Sequence, residues 1–155
     1  MPNENETMYT GLVHLHSAWR YVVVLLLIVS IAQAFIRGYG NKPFTAGDKK
    51  LYLFALISVH VQLVIGLILY FISPYVQFGD MATVMQNSEL RYWTVEHIST
   101  NVIGIILITI GYSTAKRITV DKAKHTRTAW FYLIGFASIM IAVPWPWSRI
   151  DRGWF

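Results

Sequence analysis

Apolar residues run along this chain in four blocks, each long enough to matter and each bounded by a polar stretch. The first extends from Leu12 to Ile36; beyond Arg20 it is interrupted only by Tyr21, Ser30 and Gln33. The second runs from Leu51 to Ile72 and stops at Ser73-Pro74, and the third runs from Tyr92 to Ala115. The fourth, Thr128 to Val143, is the shortest; it takes in residues from about His125 onward and is stopped by Pro144 and Pro146. A helix crossing a bilayer needs about 20 mostly apolar residues. Backbone groups in hydrocarbon must be satisfied within their own segment, which makes these blocks helices and not strands. The pattern predicts an all-α, integral membrane four-helix bundle running up-down-up-down, a single domain over residues 1–155, with spans at about 12–36, 51–72, 92–115 and 125–143.

The connections fix an orientation. Residues 37–50 hold two glycines and a proline within their first seven positions, a turn, with Gly47-Asp48 placed to start the second helix. Residues 116–127 form a second short loop, and 73–91 a longer one on the other side. Arg37, Lys42, Lys49, Lys50, Lys116, Arg117, Lys122, Lys124 and Arg127 all fall in the two short loops, nine of the thirteen basic residues. Lysine and arginine mark the cytoplasmic side of a membrane protein, so both termini are expected outside the cytoplasm. Trp19, Trp93, Trp145, Trp147 and Trp154 sit near outer span ends, as an interfacial belt does, and Trp130 near an inner one. The opening MPNENETMYT lacks the basic start and short apolar core of a cleavable signal, so the first block reads as a retained helix.

Composition agrees and narrows the chemistry. Of the 155 residues 55% are apolar and 14% charged, against about 25% charged in soluble domains, and the mean hydropathy is +0.45. The net charge of +5 comes from the loop clusters and not from a basic groove, so no nucleic-acid partner is expected; the partner is membrane lipid. There is no cysteine, which removes disulfides, thiolate metal sites, covalent haem attachment and cysteine nucleophiles. Neither HExxH, GxSxG nor a phosphate-binding glycine loop occurs.

Ionisable groups in the spans are costly and therefore mark candidate sites. Counted from the inner ends, His16 lies 21 residues before Arg37 and His97 19 before Lys116, roughly 31 and 28 Å along parallel helices. His60, ten residues past Lys50, is about 15 Å deep. Equal height across a bundle is what two axial ligands of one haem require, and His16 with His97 meets that condition best. His60 with His97 is a second pair, and no pair suits a second haem on the inner side. His60 equally suits a hydrogen bond to a neighbouring helix, and His14 and His125 read as interfacial. Arg20, one turn below His16 on the same face, calls for an anion: a haem propionate or Glu96. Glu96 diverges from His97 by about 100°, and it suits an ion pair with Arg20, a hydrogen bond to a ligating histidine, or quinone and proton chemistry. His97, Asn101, Gly104 and Gly111 follow one helical stripe; Ala55, Ser58, Gln62 and Gly66 follow another, opposite His60.

The segments HLHSAWRYVVVLLL at 14–27, HVQLVIGLILYFISP at 60–74, VEH at 95–97 and AKHTR at 123–127 resemble the small four-span bacterial membrane proteins of cytochrome b-like type. The resemblance covers essentially the whole chain. It implies a b-type haem (haem b) and electron transfer in the bacterial cytoplasmic membrane, with His16, His60 and His97 as ligand candidates. Unlike two-haem four-helix cytochromes, the sequence lacks histidine pairs at both depths. The expectation is one haem near the outer face on His16 and His97, with Arg20 on a propionate, Glu96 nearby, and quinol or a larger respiratory complex as redox partner. The alternatives are a haem-free accessory or assembly subunit of a membrane complex, and a metal or proton site built from His16, His60, Glu96 and His97. A basic inner surface binding anionic lipid is compatible with each.

Overall fold

The computed structural model describes residues 4–145, and among these there are helices and no strand. The long helices are α1 (Glu4–Tyr39), α2 (Ala46–Ile72), α5 (His97–Ala115) and α6 (Asp121–Ala142). Two short ones, α3 (Met81–Gln86) and α4 (Ser88–Arg91), break up the outer loop, and a π-helical turn, Tyr92–Glu96, leads from α4 into α5. Trp147 and Trp154, assigned above to the outer belt, lie outside the described residues.

Each terminus has a chemical cause. α1 ends where Gly40 donates back to the Ile36 carbonyl at 3.0 Å and Asn41 takes a left-handed backbone, φ 49°. α2 starts earlier than Gly47-Asp48: Thr45 is its N-cap, and Asp48 closes a capping box by accepting from the Thr45 backbone at 2.7 Å. Asp80 caps α3 by accepting from Ala82 at 3.0 Å. The Thr83 hydroxyl, donating at 2.6 Å, holds the Asp80 carboxyl below its usual range. α6 stops before Pro144.

Among the described residues three segments are long and apolar enough to cross a membrane: Glu6–Tyr39, Ala46–Ile72 and Ser88–Ala115. The expected fourth span differs, because α6 opens with DKAKHTR and no 18-residue stretch of it reaches the same apolar quality. Many large apolar side chains face outward, among them Leu25, Ile36, Phe54, Val64, Phe71 and Ile141. Exposed apolar surface on this scale is compatible with lipid contact and not with water.

α1 packs against both α2 and α6, α5 packs most extensively against α6, and α2 and α5 touch only sparsely. Glycine sets the α5–α6 contact. A Cβ on Gly104 would sit 2.7 Å from the Gly135 carbonyl oxygen, and one on Gly135 would sit 2.6 Å from that of Gly104. The core between the helices is Leu27, Ala34, Tyr52, Ala55, Ile108 and Tyr132, with their neighbours. Trp19 belongs to this contact and not to an interfacial belt, since its indole donates to the Ser58 carbonyl at 3.0 Å.

The basic end of the molecule is tied by a buried polar network. Asp48, with no exposed surface, accepts from Gln33 at 2.7 Å and pairs with Arg37 at 2.9 Å. His125, at the same basic end, is likewise fully buried among its neighbours. Its Nδ1 lies 3.1 Å from the Tyr52 hydroxyl, and Tyr132 donates to the Tyr52 carbonyl at 2.7 Å. Phe44, from the connecting loop, covers the imidazole at 5.1 Å between centroids.

Candidate functional site

The sparse contact between α2 and α5 coincides with a partly open cavity of about 280 Å³ toward the opposite end of the helices. Its wall includes His16 and Arg20 from α1, Gln62 and Gly66 from α2, and Trp93 and His97 at the start of α5. The two histidines meet there: their ring centroids are 6.4 Å apart, with 61° between the planes.

Proline chemistry prepares the place of His97. In a helix the carbonyl of residue i accepts from the N–H of i+4, but proline has none. Pro144 therefore leaves the Met140 carbonyl without a helical donor, and the carbonyl of Ala142, the last residue of α6, has none either. The Trp145 indole donates to Met140 at 3.1 Å. His97 Nδ1 lies 2.8 Å from the Ala142 oxygen and the Tyr92 hydroxyl donates to the same oxygen at 2.7 Å. A carbonyl only accepts, so His97 carries its proton on Nδ1 and has a lone pair on Nε2. The rings of Trp93 and Tyr92, 4.8 Å from each other, pack against it at 5.6 and 5.7 Å between centroids. In the π turn just before His97 the Thr94 carbonyl accepts from the Tyr70 hydroxyl at 2.7 Å. Single π turns of this kind occur preferentially at functional sites.

His16 is held differently. Gln62 donates to its backbone carbonyl at 3.0 Å, which fixes the helix and leaves the ring untouched. The ring lies against Gly66, where a Cβ would come within 3.1 Å of Cε1. Among the described residues its Nδ1 is buried with no hydrogen-bond partner, as is the Gln62 Oε1.

The other candidates fall elsewhere. His60 is exposed on the outer face of α2 among Ile57, Val61 and Val64. Its Nδ1 bonds the Leu56 carbonyl of its own helix at 2.8 Å, so it neither joins the His16–His97 pair nor bonds a neighbouring helix among the described residues. Glu96 is paired with Arg91 at 2.6 Å, on the surface, and not with Arg20. Arg20 lines the cavity, with its guanidinium 5.1 Å from the Tyr21 ring centre and 6.0 Å from that of Trp145. Among the described residues no three or more His, Asp or Glu side chains gather as a metal cluster; a site combining His16, His60, Glu96 and His97 does not form.

Spacing says what two such imidazoles can do. A ligating nitrogen sits about 2 Å from its metal and the ring centre about 1 Å beyond, so two rings on opposite sides of one metal have centroids roughly 6 Å apart. The observed 6.4 Å fits two ligands of one centre, and the anchored Nδ1 of His97 is the usual support of a ligating histidine. Gln62, Gly66, Tyr92 and the Ala142 carbonyl were not among the sequence candidates for ligation. The stop at Pro144 was the readable signal for the last of them. Comparison with family models, curated proteins and solved structures gives no match.

Proposed function

We propose that the protein is a cytochrome b-like electron-transfer protein of the bacterial cytoplasmic membrane. It holds one b-type haem near the outer face between His16 and His97. The observation that carries the reading is the 6.4 Å separation of two histidine rings that line one cavity. The four long helices are read as four spans, up-down-up-down, with the basic loops inside and both termini outside.

Bound there, the haem would supply a one-electron iron couple. The chain's own residues supply the rest. His97, its proton fixed on Nδ1 by Ala142, offers Nε2 in a set orientation. Arg20 puts a permanent cation in the cavity wall, matched to a carboxylate such as a propionate. Aliphatic residues from several elements, among them Val23, Leu63, Ile105 and Ile139, make most of the remaining wall and keep it apolar. Electrons would be exchanged with quinol or with a larger respiratory complex.

A second reading, a haem-free accessory subunit, draws support from His60, whose exposed imidazole midway along α2 offers a partner helix something to bond. The absorption spectrum of the detergent-purified, dithionite-reduced protein separates the two. The electron-transfer reading expects a Soret band and a bis-histidine spectrum. Each of His16→Ala and His97→Ala should abolish that six-coordinate spectrum, and His60→Leu should leave it intact. A protein expressed with ample haem and purified without a Soret band belongs to the second reading.

A further inference from the structure

We infer that the two histidines are held so unequally that His16 is the displaceable ligand, and that a small neutral diatomic such as carbon monoxide takes its position. This rests on the haem reading proposed above. His97 is fixed in two ways: its Nδ1 on Ala142 of α6, and the rings of Tyr92 and Trp93, themselves 4.8 Å apart, packed together against it. The Tyr92 hydroxyl donates to the same carbonyl, which holds that acceptor in place. His16 has none of this. Among the described residues its Nδ1 is buried without a partner, and its neighbour on α2 is a glycine, which gives the ring a close contact but no hydrogen-bonding side chain. Gln62 grips its backbone only.

Losing the second-nitrogen hydrogen bond typically weakens metal binding by about 10- to 100-fold, so the two ligands differ by that order. The surroundings match the incoming ligand. The cavity wall that His16 shares carries Val13, Leu63 and Leu67, apolar side chains against which a small neutral molecule sits without desolvation cost. In the exchange His16 gives up its Nε2–iron bond as the diatomic forms an iron–carbon bond. No electron or proton is transferred.

The test is to reduce the purified protein with dithionite, add carbon monoxide and record the spectrum. The expected result is a displaced Soret band in the unmodified protein. His16→Ala should retain haem and bind carbon monoxide about 10-fold faster or more, while His97→Ala should lose haem. The Gly66→Val variant, with both histidines present, serves as a second probe should His16→Ala fail to fold: crowding His16 should speed carbon monoxide binding. A six-coordinate haem spectrum that carbon monoxide leaves unchanged overturns the inference while preserving the haem site. Haem retained in His97→Ala but lost in His16→Ala overturns it as well. Absence of haem from the unmodified protein removes the parent reading itself.

Discussion

At Gly66 the missing side chain decides how α2 can lie against His16. Alanine there would bring its Cβ to 3.1 Å from Cε1, a contact relieved by a few tenths of an ångström of movement, whereas the methyls of valine extend into the ring. Replacing a mid-helix glycine also removes a helix penalty of roughly 0.5–1 kcal/mol. Gly66→Val should therefore keep its thermal stability within about 1 kcal/mol while its six-coordinate spectrum weakens; Gly66→Ala should show little of either. Melting followed by circular dichroism, run beside the absorption spectrum, checks both. The matched heights of His16 and His97 were legible in the sequence because axial rise is local arithmetic. Where Glu96 and His60 turn was not, because azimuth depends on what each helix packs against. Glu96 found Arg91 on its own stretch of chain. His60 bonded the carbonyl one turn back and stayed on the outer face.

Between elements, the buried carboxylate of Asp48 does what no apolar contact does at that end. It closes the cap of α2 and holds Gln33 and Arg37 of α1 against it. Removing one partner of a buried pair costs about 3–5 kcal/mol, because the other charge is left without compensation. Arg37 is 27% exposed and can turn toward water, so the low end, about 3 kcal/mol, is expected for Asp48→Ala. Asp48→Asn, which keeps an acceptor for Thr45 and Gln33, should lose less. Thermal unfolding of both variants in one detergent measures the difference. The turn at 37–50 and the start of α2 could be read from glycine, proline and Asp48. The role of His125 could not, because its burial depends on Phe44 folding back over it and on Tyr52 from another helix. The π turn before His97 had no signature either, for nothing in YWTVE distinguishes one extra residue per turn from an ordinary helix.

For the whole molecule, the open issue is whether α6 crosses the bilayer as the other three long segments have the composition to do. Its polar opening, DKAKHTR, shortens the apolar stretch, yet several of those polar groups are accommodated. His125 is enclosed by Tyr52 and Phe44, and Lys124 reaches Asp121 at 3.4 Å. Lysines and arginines near a span end can also carry their charges to the headgroups, which lets a helix of 22 residues, about 33 Å long, suffice for a hydrocarbon core of about 30 Å. The chain has no cysteine, so a single introduced thiol reports its own side of the membrane. Met85→Cys in the outer loop should react with an impermeant maleimide in intact cells. Lys42→Cys and Lys122→Cys should react only after permeabilisation, since both lie in basic loops. A cysteine appended after Phe155 decides the point: labelling in intact cells means that α6 crosses. Labelling only after permeabilisation would leave α6 on the cytoplasmic side, where the Ala142 carbonyl could not meet His97 near the outer face, and the proposed haem site would lose its anchored ligand.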